Sequence, residues 1–239
     1  MLLEIAAFNL QSAILAANAG ANRIELCENA HEGGTTASYG TLKLAKEKIA
    51  VPVFPIIRPR GGDFLYTAEE FDIMWKDIQL CKELGYEGVV VGLLNADGTV
   101  DTKRTAQLAE LAYPLDVTFH RAFDRAIDAM QALEDIIHCG CTRILTSGQV
   151  PNAFDGKDLI KRLVQVADNR ITIMPGSGVR SNNIGTLAGY TGATEMHSSA
   201  RRPAPSGMAF NQPSMQENLQ TITVDEEEIK SMIKALDNA

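Results

Sequence analysis

The chain has 239 residues, 45% hydrophobic and 22% charged, the balance of an ordinary globular protein that can bury a large core without disulfide or metal staples. A formal net charge of -8 argues against nucleic acid as a partner, because phosphate binding needs clustered Lys and Arg, but it allows a small anion in a local cationic pocket. No apolar run reaches the ~20 residues of a membrane helix, so no membrane partner is expected.

Short apolar runs alternate with amphipathic segments along the chain. MLLEIAAFN carries Glu4 inside its apolar stretch and lacks a basic leader region, so it reads as a first strand (3–7) and not as an export signal. LQSAILAANAG follows as a helix stopped at Gly20, then RIELC (23–27) and VFPII (53–57) as strands. TAEEFDIMWKDIQLCKELG is a helix stopped at Gly85, followed by strands GVVVG (88–92) and DVTFH (116–120). After a helix stop at Gly140 come RILTS (143–147), RITIM (170–174) and ATEMH (193–197). Strands separated by helices imply βαβ units and a parallel sheet. Eight such units predict an α/β fold of TIM type, a (β/α)8 barrel forming a single domain over 1–239. An open doubly wound sheet is the alternative, and no strong dinucleotide fingerprint supports it. Residues 201–224, rich in Pro, Ser and Met, form an irregular excursion, to be read as a lid, an interface element or a partly disordered segment. The final helix, DEEEIKSMIKALDN, begins with acids and carries its lysines later, as the helix dipole favours.

Alternate residues of a barrel strand point inward. In RIELC, Ile24 and Leu26 suit the helix side, so Glu25 and Cys27 face the interior, and the same parity turns Glu4, Arg58, Thr118, His120, Glu195 and His197 inward. Ionisable groups in a space normally filled by aliphatic side chains must pair with one another or bind something. One reading is a network that satisfies only itself. The other is an acid/base set of Glu25, His120, Glu195 and His197, with Glu4 as an acceptor and Arg58 as an anion fork, at the carboxyl ends of the strands. The loops after the strands add Arg60 and Asp63 beside a Gly pair, Arg121 and Asp124 in HRAFD, Ser147 in TSG, Gly176 and Gly178 in MPGSGV, and Arg201 in HSSAR. Paired arginines and exposed backbone N–H groups suit a carboxylate or phosphate, although GSG also fits a plain tight turn. ENAHEGGTT (28–36) reads as a flexible cover over the mouth.

Four cysteines and no export signal point to reduced thiols and a cytoplasmic location. HCGC (138–141) places Cys139 and Cys141 beside an imidazole, soft ligands that favour Cu(I) or Zn, but at the amino end of the barrel and without a second pair. Cys27, near Glu25, is the better-placed thiol, and Cys81 reads as core.

ELCEN with EGGTT, then IRPRGGDFLY, TFHRAFD, LTSG, MPGSG and ATEMHSSAR, resembles the CutC family over nearly the whole chain. The resemblance implies a β/α barrel, a cytoplasmic homo-oligomer and a role in copper homeostasis. Three positions depart from the family pattern: Ala6 and Ser198 stand where cysteines are common, and Ser177 replaces a glycine. Two readings follow. One is a copper-homeostasis protein holding Cu(I) through Cys27 with His197, or through HCGC. The other is a barrel enzyme acting on a small phosphate- or carboxylate-bearing metabolite.

Overall fold

The structure is a computed structural model describing residues 1–238; Ala239, the last residue of the expected domain, lies outside the described residues. All eight expected strands form, each bound falling within two residues of its expected place. They are β1 Leu2–Ala7, β2 Arg23–Leu26, β3 Val53–Pro55, β4 Gly88–Val91, β5 Asp116–Phe119, β6 Arg143–Thr146, β7 Thr172–Pro175 and β8 Glu195–Ser198. Between them run α1 Leu10–Asn18, α2 Tyr39–Lys48, α3 Ala68–Leu84, α4 Thr102–Ala112, α5 Ala129–His138, α6 Lys157–Ala167 and α7 Ile184–Thr191, and α8 Glu226–Asp237 ends the fold.

The strands pair in parallel in the orders β3-β2-β1-β8 and β4-β5-β6-β7. The two arcs meet where the Ile57 N–H donates to the Val90 carbonyl at 2.7 Å, and β7 packs against β8 on the other side. This is a TIM-type barrel. Its helices start where the sequence supplies caps. Asn9 accepts from the Ser12 N–H, Thr67 and Glu70 form a reciprocal capping box, and Asp128 and Asp225 each accept two N–H groups. Gly85, at φ +77, ends α3 in a left-handed turn that an L side chain enters only with strain.

The outward faces of the strands and the inner faces of the helices make one apolar layer. Leu3, Ile5, Ile24, Leu26, Val89, Val91 and Ile144 pack there against Ala13, Leu42, Ile78, Leu108, Ile136 and Leu163. Burial of each large side chain contributes about 1.5–3 kcal/mol before chain entropy is set against it. The odd residues of β1 fill this layer, which leaves Glu4 and Ala6 to the barrel interior.

The 201–224 excursion is more regular than its composition indicated. Arg201–Ala204 (β9) and Thr221–Val224 (β10) form an antiparallel ribbon, with a 3-10 turn at Pro213–Met215 between them. Pro203 is tolerated because this two-stranded ribbon has a free edge on which its missing N–H is not needed. The ribbon is tied to the barrel by the Asn9 side-chain amide, which donates to the Ile222 carbonyl at 2.9 Å, and by the Asp225 N–H, which donates to Ala200. Among the described residues no helix is long and apolar enough to cross a membrane.

Candidate functional site

The barrel interior is polar in two layers. The lower layer is built from the first residues of β2, β6 and β8. Arg23 Nη2 meets Glu195 Oε2 at 2.6 Å, Arg143 Nε meets the same oxygen at 2.6 Å, and Arg143 Nη2 reaches Glu195 Oε1 at 3.1 Å. A further N–H of Arg143 donates to Thr118 Oγ1 at 3.2 Å. Both guanidiniums lie over the Phe54 ring, at 4.9 and 5.6 Å from its centroid. Gly88 leaves the space for that ring, since a Cβ there would run into it. Burial would raise the Glu195 carboxyl, but the hydrogen bond and charge of Arg143, with Arg23 behind them, hold it below its ordinary range. Glu195 was expected at the mouth with the acid/base set. It opens β8, at the foot of the barrel, and is fully engaged by two arginines.

The upper layer centres on His197. Its Nδ1 lies 2.8 Å from Glu4 Oε1, and its Nε2 lies 3.9 Å from Glu25 Oε2. Glu4 also pairs with Arg23 Nε and is 1% exposed. Burial would raise the Glu4 carboxyl, yet the His197 hydrogen bond and the Arg23 charge bring it down to about 2. An ionised Glu4 fixes the proton of His197 on Nδ1 and leaves Nε2 for exchange. Burial pushes the Glu25 carboxyl the other way, up to about 7, against the pull of the His197 charge. The His197 imidazole is raised: burial opposes its charge, but the Glu4 bond and the Glu25 and Glu4 charges win. Two carboxylates on one imidazole thus have opposite character: Glu4 is held ionised, while Glu25 rises to about 7.

Above this layer a cavity of about 430 Å³ opens at the carboxyl ends of the strands. Glu25 and His197 form part of its wall, with Ala6, Ile56, Leu145 and His120, while Arg58, Arg121, Arg180 and Arg201 also line it. Among the described residues only Arg121 of these four arginines pairs with a carboxylate, that of Asp124 at 2.7 Å. Arg58 is 4% exposed and donates to the carbonyls of Glu32 and Gly34 at 2.6 and 2.8 Å and of Gly62 at 2.9 Å. Its buried Nε finds no partner among the described residues. Arg58 therefore pins the 28–36 cover to the loop after β3 while keeping its charge at the cavity wall.

His120 caps the turn Arg121–Arg125 by accepting the Ala122 N–H on Nδ1 at 3.1 Å, so the ring proton resides on Nε2. That atom is buried and unpartnered among the described residues. Burial and the neighbouring Arg58 charge lower the imidazole to about 3, which makes it a neutral donor at physiological pH. Gly92 makes room for the ring, because a Cβ there would overlap it.

The other expected residues divide by position. Gly178 and Arg201 line the cavity, and Ser177, at φ +81, takes a conformation glycine adopts freely and donates its hydroxyl to the Pro151 carbonyl at 2.7 Å. Gly176 is needed for close packing, since a Cβ there would press on Leu145 and His197. Asp124 and Ser147 organise the loops: Asp124 accepts from the Ser147 N–H at 2.9 Å and from the Thr146 hydroxyl at 2.5 Å. Arg60 and Asp63, expected to hold an anion, lie outside the cavity wall. Arg60 pairs with Asp63 at 2.9 Å and with Glu70 at 2.6 Å, so a carboxylate that caps α3 has captured the proposed fork. Arg23, Arg143 and Arg180 were missed. The first two share the parity of Glu25 and Leu145, and Arg180 directly follows the MPGSGV turn.

The thiols are buried. Cys27 packs with Phe54, Ile56 and Val90 beneath Gly34, and burial, reinforced by the Glu25 charge, keeps its proton on well above the usual thiol range. Ala6 and Ser198 provide no second thiol at the cavity wall. Cys139 and Cys141 lie where α5 turns into β6, away from the mouth, and burial raises both thiols. Among the described residues no group of three or more His, Cys, Asp or Glu is arranged to hold a metal ion. A single thiol with no second sulfur ligand beside it does not fit Cu(I), which soft sulfur ligands hold in pairs or larger sets.

A sequence profile of the CutC family matches residues 1–202. A CutC family protein of Chromobacterium violaceum is 54% identical over 209 residues, covering 87% of this chain and 85% of its own length. The human copper homeostasis protein cutC homolog is 46% identical over 214 residues, covering 90% of this chain and 78% of its own. The crystal structure of CutC from Streptococcus agalactiae superposes with a TM-score of 0.79 at 36% identity, covering 83% of this chain and 98% of that one. Phosphoribosyl anthranilate isomerase from Thermotoga maritima, at 13% identity and a TM-score of 0.63 over 100% of both chains, shares the fold alone. On sequence and structure together, the chain belongs to the CutC family.

Proposed function

We propose that the chain acts at the mouth of its barrel, binding a small phosphate- or carboxylate-bearing molecule and exchanging protons with it through Glu25 and His197. The observation that carries this reading is the charge of the wall. Four arginines line a cavity whose one carboxyl among the described residues, Glu25, is itself raised to about 7, and three of them, Arg58, Arg180 and Arg201, have no carboxylate partner there, in a protein whose net charge is -8. Cations concentrated in one concavity of an acidic protein call for an anionic ligand. Calorimetric titration with inorganic phosphate and with citrate tests it. Wild-type protein should bind at least one, and Arg180→Ala/Arg201→Ala should weaken binding by about tenfold or more, equal to about 1.4 kcal/mol. Absence of binding, or equal binding by the double variant, would overturn it.

Copper reaches this chain through the names of its relatives, such as the human copper homeostasis protein cutC homolog. A Cu(I) role at the mouth would rest on Cys27 alone, since Cys81, Cys139 and Cys141 lie elsewhere in the fold. Titration of wild-type and Cys27→Ser protein with Cu(I) against a competing chelator decides this. Equal affinity removes the Cys27 site, and a large loss restores it.

A further inference from the structure

Beyond its proton-exchanging pair, the cavity wall holds donors that lack acceptors. The imidazole of His120, three strands around the barrel from Glu25, carries its hydrogen on an enclosed and unpartnered Nε2. The Nε–H of Arg58 on the same wall is equally unpartnered. A buried donor without an acceptor costs about 1–3 kcal/mol; both atoms are covered by neighbouring side chains, and a ligand oxygen that displaced those neighbours would offset the cost. Two serines of the wall are already committed: Ser177 donates to Pro151 and Ser198 to Val179, each at 2.7 Å. Neither pairs with an imidazole as the nucleophile of an acyl transfer would. The wall therefore supplies a carboxyl base, an imidazole backed by Glu4, a neutral N–H donor and a cationic rim.

We infer that the molecule taken at this site is a small anionic carbonyl compound, an aldose or ketose phosphate or a keto acid, and that the reaction is proton transfer at the carbon next to the carbonyl. This deepens the reading of the mouth as an anion site and rests on it. In the step, a Glu25 oxygen takes the proton from that carbon. The C–H electron pair becomes the carbon–carbon double bond of an enolate, and the carbonyl π pair moves onto oxygen. The His120 N–H donates to that oxygen. A neutral imidazole suits this task, since its low affinity for a further proton keeps it a donor as the oxygen gains charge. The proton then returns from Glu25 to carbon, so nothing is oxidised and no co-reactant is consumed. Glu4 acts through His197 and is a positioning residue.

The test is proton NMR in deuterium oxide with three- to six-carbon aldose and ketose phosphates, pyruvate and oxaloacetate, and inorganic phosphate binding measured in parallel. Wild-type protein should place deuterium at the carbon next to the carbonyl of at least one compound faster than buffer does. Glu25→Gln should slow that exchange by about 100-fold or more, and phosphate binding should persist, since the variant removes a carboxyl from the wall of the anion site. His120→Phe, which keeps the ring, should slow it by about tenfold or more, and Glu25→Asp should keep a measurable part of it. Phosphate binding with no exchange in any compound overturns the reaction class and leaves the anion site standing. Exchange unaffected by Glu25→Gln overturns the assigned base. Absence of phosphate and citrate binding removes the underlying reading instead.

Discussion

Replacing Glu25 by Gln should make the protein more resistant to alkali. The carboxyl is 5% exposed, and burial raises it from 4.5 to about 7. The folded state therefore holds the proton of Glu25 more tightly than the unfolded chain does. The stability this contributes is fully present below pH 4.5 and is lost as the pH rises through about 7. At about 1.4 kcal/mol for each tenfold difference in proton affinity, the loss in the wild type approaches about 3 kcal/mol by about pH 9. Glutamine has the same shape and no proton to lose. In urea unfolding from about pH 4 to about pH 9, the variant should gain up to about 3 kcal/mol on the wild type across that interval. His197 is raised too, by the Glu4 bond and partly by the Glu25 charge that the variant removes, but the Glu25 value of about 7 already includes the pull of His197, so the sign of the difference survives. A stability difference that stays flat from acid to alkali would refute the reasoning. It would mean that Glu25 ionises in the fold as it does in water, and that the wall of the cavity is wet.

Arg143→Met should destabilise the protein by about 3 kcal/mol in the same unfolding assay, because the largely buried Glu195 keeps only the contact with Arg23. Adding Glu195→Leu should return much of that loss, since Arg23 still has Glu4 as a partner. Arg60→Ala should leave phosphate affinity within about twofold, because its ion pairs are exposed and lie outside the cavity wall; a tenfold loss would restore it as a ligand.

The strands were readable because each is a short apolar run set off by a helix pattern, with stops such as Gly20 and Gly85, and period two then gave the inward faces. Glu25, His120 and His197 stand where parity put them. The ribbon at 201–224 escaped notice because its four-residue strands are too short to show alternation, and Pro203 argued against a strand altogether. Arg60 was misplaced for a related reason. A loop arginine beside two glycines has the composition of an anion site, but its partner, Glu70, lies ten residues on at the start of α3.

Height along the barrel axis is not legible in the alternation of a strand. Glu195 and His197 share one face of β8 and sit two residues apart, a climb of roughly 6–7 Å. That single step decides their chemistry. At the foot, Glu195 meets Arg23 and Arg143, stays ionised and cannot give or take a proton at neutral pH. One layer up, Glu25 has no guanidinium at bonding distance among the described residues; its ionic neighbour is an imidazole 3.9 Å away. Desolvation then outweighs attraction, and the carboxyl rises into the range where it can act as a base. Alternation along a strand could show that both glutamates face inward. Only the stagger between strands, which brings Leu2 beside Glu195 and Ala6 beside Glu25, separates the carboxylate that holds the barrel together from the one that can exchange its proton.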